Sequence, residues 1–442
     1  MSVRSWALLL TALSLTMSTQ AVQVARAGTA ATPRVVSSAG AATWGPVHRF
    51  ERDPRGQSVT VGPHDVVTVA WGSQRGWPER VKVAQRTSDG RWRAPVTLGV
   101  GYAPVVASDA GGDLTVTWCR DRAGWTTGVW VARKPAGGPW TRPVHVSTDR
   151  AAPGYPDGAS TYGATGLDIA TSPSGATLVT WRSGSWDREV PFRVDVVYRT
   201  GSGAWGRVQT LTNGPGQAID VHAVVARDGT ASVAYTWAPT RGRERVVVRS
   251  RAASGWRPAE RVALGAVGAI GVRADGVLFV ALLSRGRVLV AHRGAAGTWA
   301  PPDAVTPPDL RVQDWAAAIS ARGAVLVTYL VRPDRVDAVR RAPGGRWSGP
   351  TTLVVPEHQP AGVVAGVDAR GDLFAGWHDN YGIWGRYQAA GRGWQATTTV
   401  QADVGQVDVL EDLAVQVTPS GDVALLWEQE ERPLRMRVLS DR

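Results

Sequence analysis

One pattern limits what this chain can fold into more than any other. A tight turn followed by an alternating strand recurs eight times, interleaved with eight tryptophans that each follow a second, glycine-rich turn. The first mark opens at Pro63-His64-Asp65, Asp109-Ala110-Gly111-Gly112-Asp113, Pro173-Ser174-Gly175, Asp228-Gly229, Asp275-Gly276, Arg322-Gly323, Arg370-Gly371-Asp372 and Ser420-Gly421-Asp422. Its strands are expected to end at Trp71, Trp118, Trp181, Trp237, Leu283, Leu330, Trp377 and Trp427. Glycine between two β-rich runs supplies the positive φ of a hairpin turn, so each copy joins two antiparallel strands.

The second mark comprises Trp44, Trp92, Trp140, Trp205, Trp256, Trp299, Trp347 and Trp394. Successive spacings are 48, 48, 65, 51, 43, 48 and 47 residues. That is the length of a four-stranded propeller blade and too long for a short-repeat solenoid. The expected fold is therefore all-β: a β-propeller of eight four-stranded blades, with strands A to D running from the axis outward. Because the tryptophans recur at the packing period, they read as core anchors between blades rather than as ligand platforms.

The last repeat supplies strands A, B and C and then the chain ends, whereas Thr43-Trp44-Gly45-Pro46-Val47 carries the strand-D mark with nothing before it. Pairing that segment with the last repeat closes the ring and removes the edges an open sheet would leave. The domain plan follows: 1–27 a leader, 28–41 a flexible N-terminal segment, 42–442 one propeller domain.

The leader rests on Arg4, an apolar run over 6–15, and Ala25-Arg26-Ala27, the small-x-small pattern that signal peptidases cut. No later apolar run is long enough to span a bilayer, so the expected location is secreted or extracellular. Cys119 is the single cysteine, which makes it a small buried hydrophobe in a chain that folds without an internal disulfide. The formal charge is +12, and removing Arg4 and Arg26 with the leader leaves +10. The excess is scattered arginine, with Lys82 and Lys134 the only lysines, and forms no stripe of the kind nucleic acid requires.

Functional side chains concentrate in the B-to-C and D-to-A loops, which share one face of a propeller. Ligand-binding candidates there are Arg75 and Trp77 in blade 1, Arg120 and Asp121 in blade 2, Arg182, Trp186 and Asp187 in blade 3, and Arg243 in blade 4. Blade 7 adds His378, Asp379 and Tyr381, and blade 8 adds Glu428. A long D-to-A insertion over 147–166 and acids around the closure, Glu51 and Asp53 among them, complete the face. Blades 2 to 6 are arginine-rich and the sector of blades 7, 8 and 1 is acidic, so Arg120, Arg182 and Arg243 are expected to line one cleft with Asp379 and Glu428 across it. Arginine's planar fork suits carboxylate or phosphate.

The turn-plus-tryptophan repeat resembles the sialidase-like propellers with Asp-box repeats, over about 42–442. Thr87-Ser88-Asp89-Gly90-Arg91-Trp92 comes nearest to their Ser/Thr-x-Asp-x-Gly-x-Thr-Trp box, and the other hairpins keep glycine and tryptophan without the aspartate. The resemblance implies a propeller and, as one possible activity, glycoside hydrolysis. The Arg-Ile-Pro segment of sialidases is absent, and eight blades exceed their six. No histidine and cysteine cluster has zinc-ligand spacing and no Gly-x-Ser-x-Gly elbow occurs. The reading is a secreted, monomeric binding module for a glycan or other anionic ligand, with no cofactor and no metal. The alternative is a sialidase-like hydrolase or lyase on the same face.

Overall fold

The structure is a computed structural model that describes residues 43–52, 54–74, 78–122, 125–147, 166–185, 190–212, 214–294, 297–331, 335–355, 360–379, 381–402, 410–429 and 432–440. The expected leader and N-terminal segment lie outside these residues. Eight antiparallel sheets form the ring. Blade 3, for example, runs Asp168–Thr171, Thr177–Ser185, Val190–Arg199 and Gln209–Thr210. The one helical turn described is Pro63–Asp65, and no described helix is long and apolar enough to cross a membrane.

The A-to-B turns are nearly identical. In blades 2 to 8 an opening residue such as Asp109, Ser172 or Thr418 donates its N–H to the carbonyl four residues on, and the residue three positions on donates back to it. The glycine at that third position has φ between 81° and 96° in all seven. Only a residue without Cβ enters this left-handed region freely, which explains the recurring glycine. In blade 1, Asp65 takes the position with φ 58°.

Counting along strand B from this turn residue as zero organises the core. Residues at +2, +4 and +6 face the preceding blade, and those at +3, +5 and +7 face the following one, as the two-residue period of a strand requires. Position +6 holds Trp71, Trp118, Trp181, Tyr235, Leu282, Tyr329, Trp377 and Trp427, all buried. Here the sequence reading needs correction in three blades. The strand marker is Tyr235, Leu282 and Tyr329, not Trp237, Leu283 and Leu330. A one-residue slip changes the face: Leu283 packs toward blade 6 and Leu330 toward blade 7, while Leu282 and Tyr329 pack backward. Each fully buried tryptophan contributes about 4 to 6 kcal/mol as an upper bound.

The core accordingly divides into eight clusters, one per interface between neighbouring blades, and each cluster carries one turn tryptophan on its flank. These tryptophans are half-buried rather than fully enclosed. They act as staples that reach back to strand D of the preceding blade. The Nε1 of Trp299 donates to Glu260 Oε2 at 2.8 Å, that of Trp347 to Asp303 Oδ2 at 3.0 Å, and that of Trp44 to Thr398 Oγ1 at 3.1 Å.

Closure follows the expected route. In blade 8, Leu410–Val417, Val423–Gln429 and Pro433–Ser440 are strands A to C, and Thr43–Trp44 pairs antiparallel with the last of them, Thr43 opposite Ser440 and Trp44 opposite Leu439. His48–Arg52 continues the pairing. Trp44 then packs edge-on against Phe374 of blade 7, and His48 stacks on Trp92 of blade 1 at 4.7 Å. Glu51 accepts hydrogen bonds from Trp71 Nε1, Ser73 Oγ and Lys82 Nζ, so it locks the closing strand to blade 1.

Near the axis, a side chain of one blade accepts a backbone N–H from strand A of the next. The acceptors are Ser58 Oγ for Val106, Asp168 Oδ2 for Ala223, Thr236 Oγ1 for Val267 and Asp314 Oδ2 for Val363, at 2.8 to 3.0 Å. Burial raises the Asp168 carboxyl from the ordinary 3.8 to about 7, and the two backbone N–H groups it accepts pull the other way. Asp314 rises to about 6 for the same reason.

Two predictions follow from this packing. Trp44→Ala should cost roughly 2 kcal/mol, less than the ~3–5 of a fully buried tryptophan, and Trp44→Phe should cost about 1 kcal/mol through the lost bond to Thr398. A urea midpoint unchanged in Trp44→Ala would contradict the closure. Because the native pKa of Asp168 lies above its unfolded value, its protonated form adds stability that is full below about pH 3.8 and lost as pH rises through about 7. Urea midpoints of the native chain should therefore fall more steeply between pH 4 and 7 than those of Asp168→Asn. Parallel profiles would remove Asp168 as their source.

Candidate functional site

The site is built at position +7 of strand B, the last residue on the face toward the following blade. Round the ring this position holds Gly72, Cys119, Arg182, Thr236, Leu283, Leu330, His378 and Glu428. Cys119 and the two leucines join the core, and burial pushes the Cys119 thiol up to about 12. The charged exceptions fall in blades 3 and 8, with neutral polar groups in blades 4 and 7.

Arg182 leaves blade 3 toward blade 4. Its stem crosses Gly166, where a Cβ would sit 2.8 Å from Nε, and its guanidinium lies 5.2 Å from the Phe192 ring centre. The side chain is half-buried, and its Nε is sealed from solvent with no hydrogen-bond partner among the described residues. Across the crevice, strand A of blade 4 (Gly216–Val225) shifts register between Ala218 and Val221, so Ile219 and Asp220 together stand opposite Thr236. A bulge of this kind redirects a side chain at the mouth of a sheet. It presents Asp220, which accepts a long 3.4 Å bond from Thr236 Oγ1.

Arg182 and Asp220 sense each other's charge, yet neither an ion pair nor a hydrogen bond joins them. Burial lowers the Arg182 pKa, and Asp220 opposes the shift. Burial raises Asp220, Arg182 and Thr236 pull it down, and Glu244 pushes it up again. An arginine with a sealed, unpartnered donor is costly. A carboxylate, sulfate or phosphate at the exposed tip of this guanidinium would compensate that charge.

The other predicted residues are distributed as follows. Arg120 stacks over Trp130 at 5.0 Å within blade 2. Asp121 lies at the end of the same strand, Leu114–Arg122. Arg243 is exposed at the hairpin between strands B and C of blade 4. In blade 5 the Arg285-Gly286 turn is tight, with φ 53° and 77°, and Arg287 is held by the Thr306 carbonyl. His378 is 8% exposed and Glu428 8%, whereas Tyr381 is 40% exposed. Asp379 Oδ1 accepts the N–H groups of Tyr381 and Gly382 and so caps the blade 7 loop. Glu51, expected among the acids of the face, is enclosed in the closing tie described above. Arg75, Trp77, Trp186, Asp187, Asp53 and the insertion over 148–165 lie outside the described residues. Asp220 and Thr236 were not among the candidates. The register of strand B, counted from its glycine, is the signal that leads to them. No group of three histidine, cysteine, aspartate or glutamate side chains among the described residues could hold a metal ion.

No family model matches the chain, and no curated protein matches it significantly. Among solved structures, the BP39L lectin from Burkholderia pseudomallei superposes with a TM-score of 0.54 at 15% identity, over 79% of this chain and 99% of the lectin. The polysaccharide lyase Uly1 gives a TM-score of 0.48 at 11% identity, over 76% of this chain and 89% of the lyase. The NanB sialidase from Streptococcus pneumoniae gives 0.36 at 8% identity, over 88% of this chain and 68% of the sialidase. At these identities the likeness to the lectin is one of fold, and the lyase and the sialidase differ too much in shape to carry an argument. By its eight closed sheets, this chain is an eight-bladed β-propeller.

Proposed function

We propose that the chain is an exported binding module for an acidic saccharide or another anionic ligand, taken up on the face formed by the B-to-C and D-to-A loops. The observation that carries this reading is Arg182, a half-buried guanidinium between blades 3 and 4 whose Nε has no hydrogen-bond partner among the described residues. The buried Phe192 ring holds the guanidinium in place, and Arg243 stands exposed on the neighbouring hairpin. Export rests on the leader-like residues 1–27. The likeness in fold to a lectin is compatible with carbohydrate as the ligand class.

A second reading, a hydrolase or lyase, is favoured by Asp220 alone. Its raised pKa and its neighbour Glu244 are what a general acid paired with a base would need. The two readings separate on turnover.

Calorimetric titration with oligouronates and sulfated oligosaccharides should show binding that Arg182→Ala weakens about 10- to 100-fold, the loss expected for a charge-assisted hydrogen bond of roughly 1.5–3 kcal/mol. Arg243→Ala should weaken it less, because an exposed charge is screened. Affinity should rise as pH falls through the raised pKa of Asp220, since protonation removes a repelling charge. Equal affinity in the native chain and in Arg182→Ala would reject the site. Release of reducing ends or unsaturated uronates that Asp220→Asn abolishes would replace the binding module by the enzyme.

A further inference from the structure

The crevice between blades 3 and 4 has a counterpart half a turn round the ring, between blades 7 and 8. In the eight-bladed ring, blades 4 and 8 stand opposite each other. They share one bulge register. In blade 4 the residues flanking it pair as Ala218 with Trp237 and Val221 with Tyr235, leaving Ile219 and Asp220 against Thr236. In blade 8 they pair as Leu410 with Gln429 and Leu413 with Trp427, leaving Glu411 and Asp412 against Glu428. Counted from the turn glycines, Ala218 and Leu410 both lie eleven positions before, at Gly229 and Gly421. Strand A in the blades that precede them, 3 and 7, has no such register shift.

Blades 3 and 7 share a second device. Each has a glycine nine positions before its turn glycine, Gly166 before Gly175 and Gly362 before Gly371, and each glycine underlies the +7 side chain of its own blade. A Cβ on Gly166 would meet Arg182 Nε at 2.8 Å, and a Cβ on Gly362 would meet His378 Nε2 at 2.5 Å. Both side chains therefore lie over bare backbone as they reach toward the next blade. The two crevices are built alike and differ in chemistry. Where the first has an arginine, the second has an imidazole.

His378 is buried, and its Nδ1 is sealed with no hydrogen-bond partner among the described residues. Its Nε2 is not sealed, and lies against Gly362. Burial lowers its pKa to about 4, with the Asp379 backbone opposing, so the ring is neutral at ordinary pH. With Nδ1 sealed, only Nε2 of the neutral ring can meet a ligand, as a single uncharged donor or acceptor, which suits a hydroxyl group better than an anion. We propose that the ring carries a second ligand crevice between blades 7 and 8, in which His378 binds an uncharged, hydroxyl-bearing part of a saccharide. The proposal extends the reading of the first crevice as a site for an acidic group, and makes the module bivalent with two unlike sites.

The test uses the full mature chain labelled with ¹⁵N, and follows the histidine ring and arginine Nε resonances. The probes are the neutral methyl glycosides of glucose, galactose and mannose, and separately sodium glucuronate. At least one neutral glycoside should shift the His378 ring resonances in a saturable way without moving Arg182. Gly362→Ala, whose new Cβ occupies the space beside Nε2, should abolish that response while thermal stability and the glucuronate response at Arg182 persist. His378 resonances that stay fixed for all three glycosides up to their solubility limits would overturn the proposal. So would a His378 response of undiminished affinity in a folded Gly362→Ala. Absence of a glucuronate response at Arg182, with the His378 response intact, would instead overturn only the reading of the first crevice.

Discussion

Each blade has two apolar faces, and neither is buried until a neighbour stands on both sides. That mutual requirement is the constraint on which the rest of the structure depends. Strand B places Trp118, Trp181 and their equivalents against the blade before and Leu178, Phe279 or Phe374 against the blade after, so the core is a closed succession of interfaces rather than one centre. An open ring would leave one such interface exposed to water over its whole height. The pairing of Thr43–Trp44 with the final strand removes that cost, and Trp44, His48 and Glu51 then fasten the seam to blades 7 and 1.

The same constraint explains the polar ties. Strand A has a neighbour on one side only, and its inner N–H groups would lie unpaired beside the axis. Ser58, Asp168, Thr236 and Asp314 supply acceptors from the preceding blade. These ties do not repeat with the regularity of the tryptophans, because a hydrogen bond can come from any short polar side chain in reach while a packed ring must match a fixed space. Two of the four are carboxyls whose pKa values burial raises, so acid relieves the cost of a buried charge there even though the hydrogen bonds favour the carboxylate.

The fold was legible in the chain because its signals are local and repeated. A left-handed glycine ends each A-to-B turn, and a tryptophan follows each outer turn at the length of a blade. Taking the final aromatic or leucine of each strand B as equivalent failed in blades 4 to 6, where Tyr235, Leu282 and Tyr329 hold the position rather than Trp237, Leu283 and Leu330. Distance from the glycine was the better guide, since period two sets the face. The site was legible only in part for a related reason. Arg182 and His378 stood out as charged or polar ends of apolar strands. Asp220 did not, because its orientation comes from a bulge whose register shows only once the strands are paired. Arg120, named for the loop face, is engaged within its own blade by Trp130, as Arg287 of blade 5 is by the Thr306 carbonyl.

Function then comes from departures from the repeat. At position +7 blades 2, 5 and 6 use a side chain that joins the core, and blade 3 uses a guanidinium that forms no ion pair with its described neighbours. The claim that this departure marks the ligand crevice is tested most directly by a crystal structure of the mature chain with a bound oligouronate. The account predicts a carboxylate within hydrogen-bond distance of the Arg182 guanidinium, between blades 3 and 4. A ligand seated on the outer rim or on the A-to-B face, with Arg182 unchanged and unengaged, would contradict it.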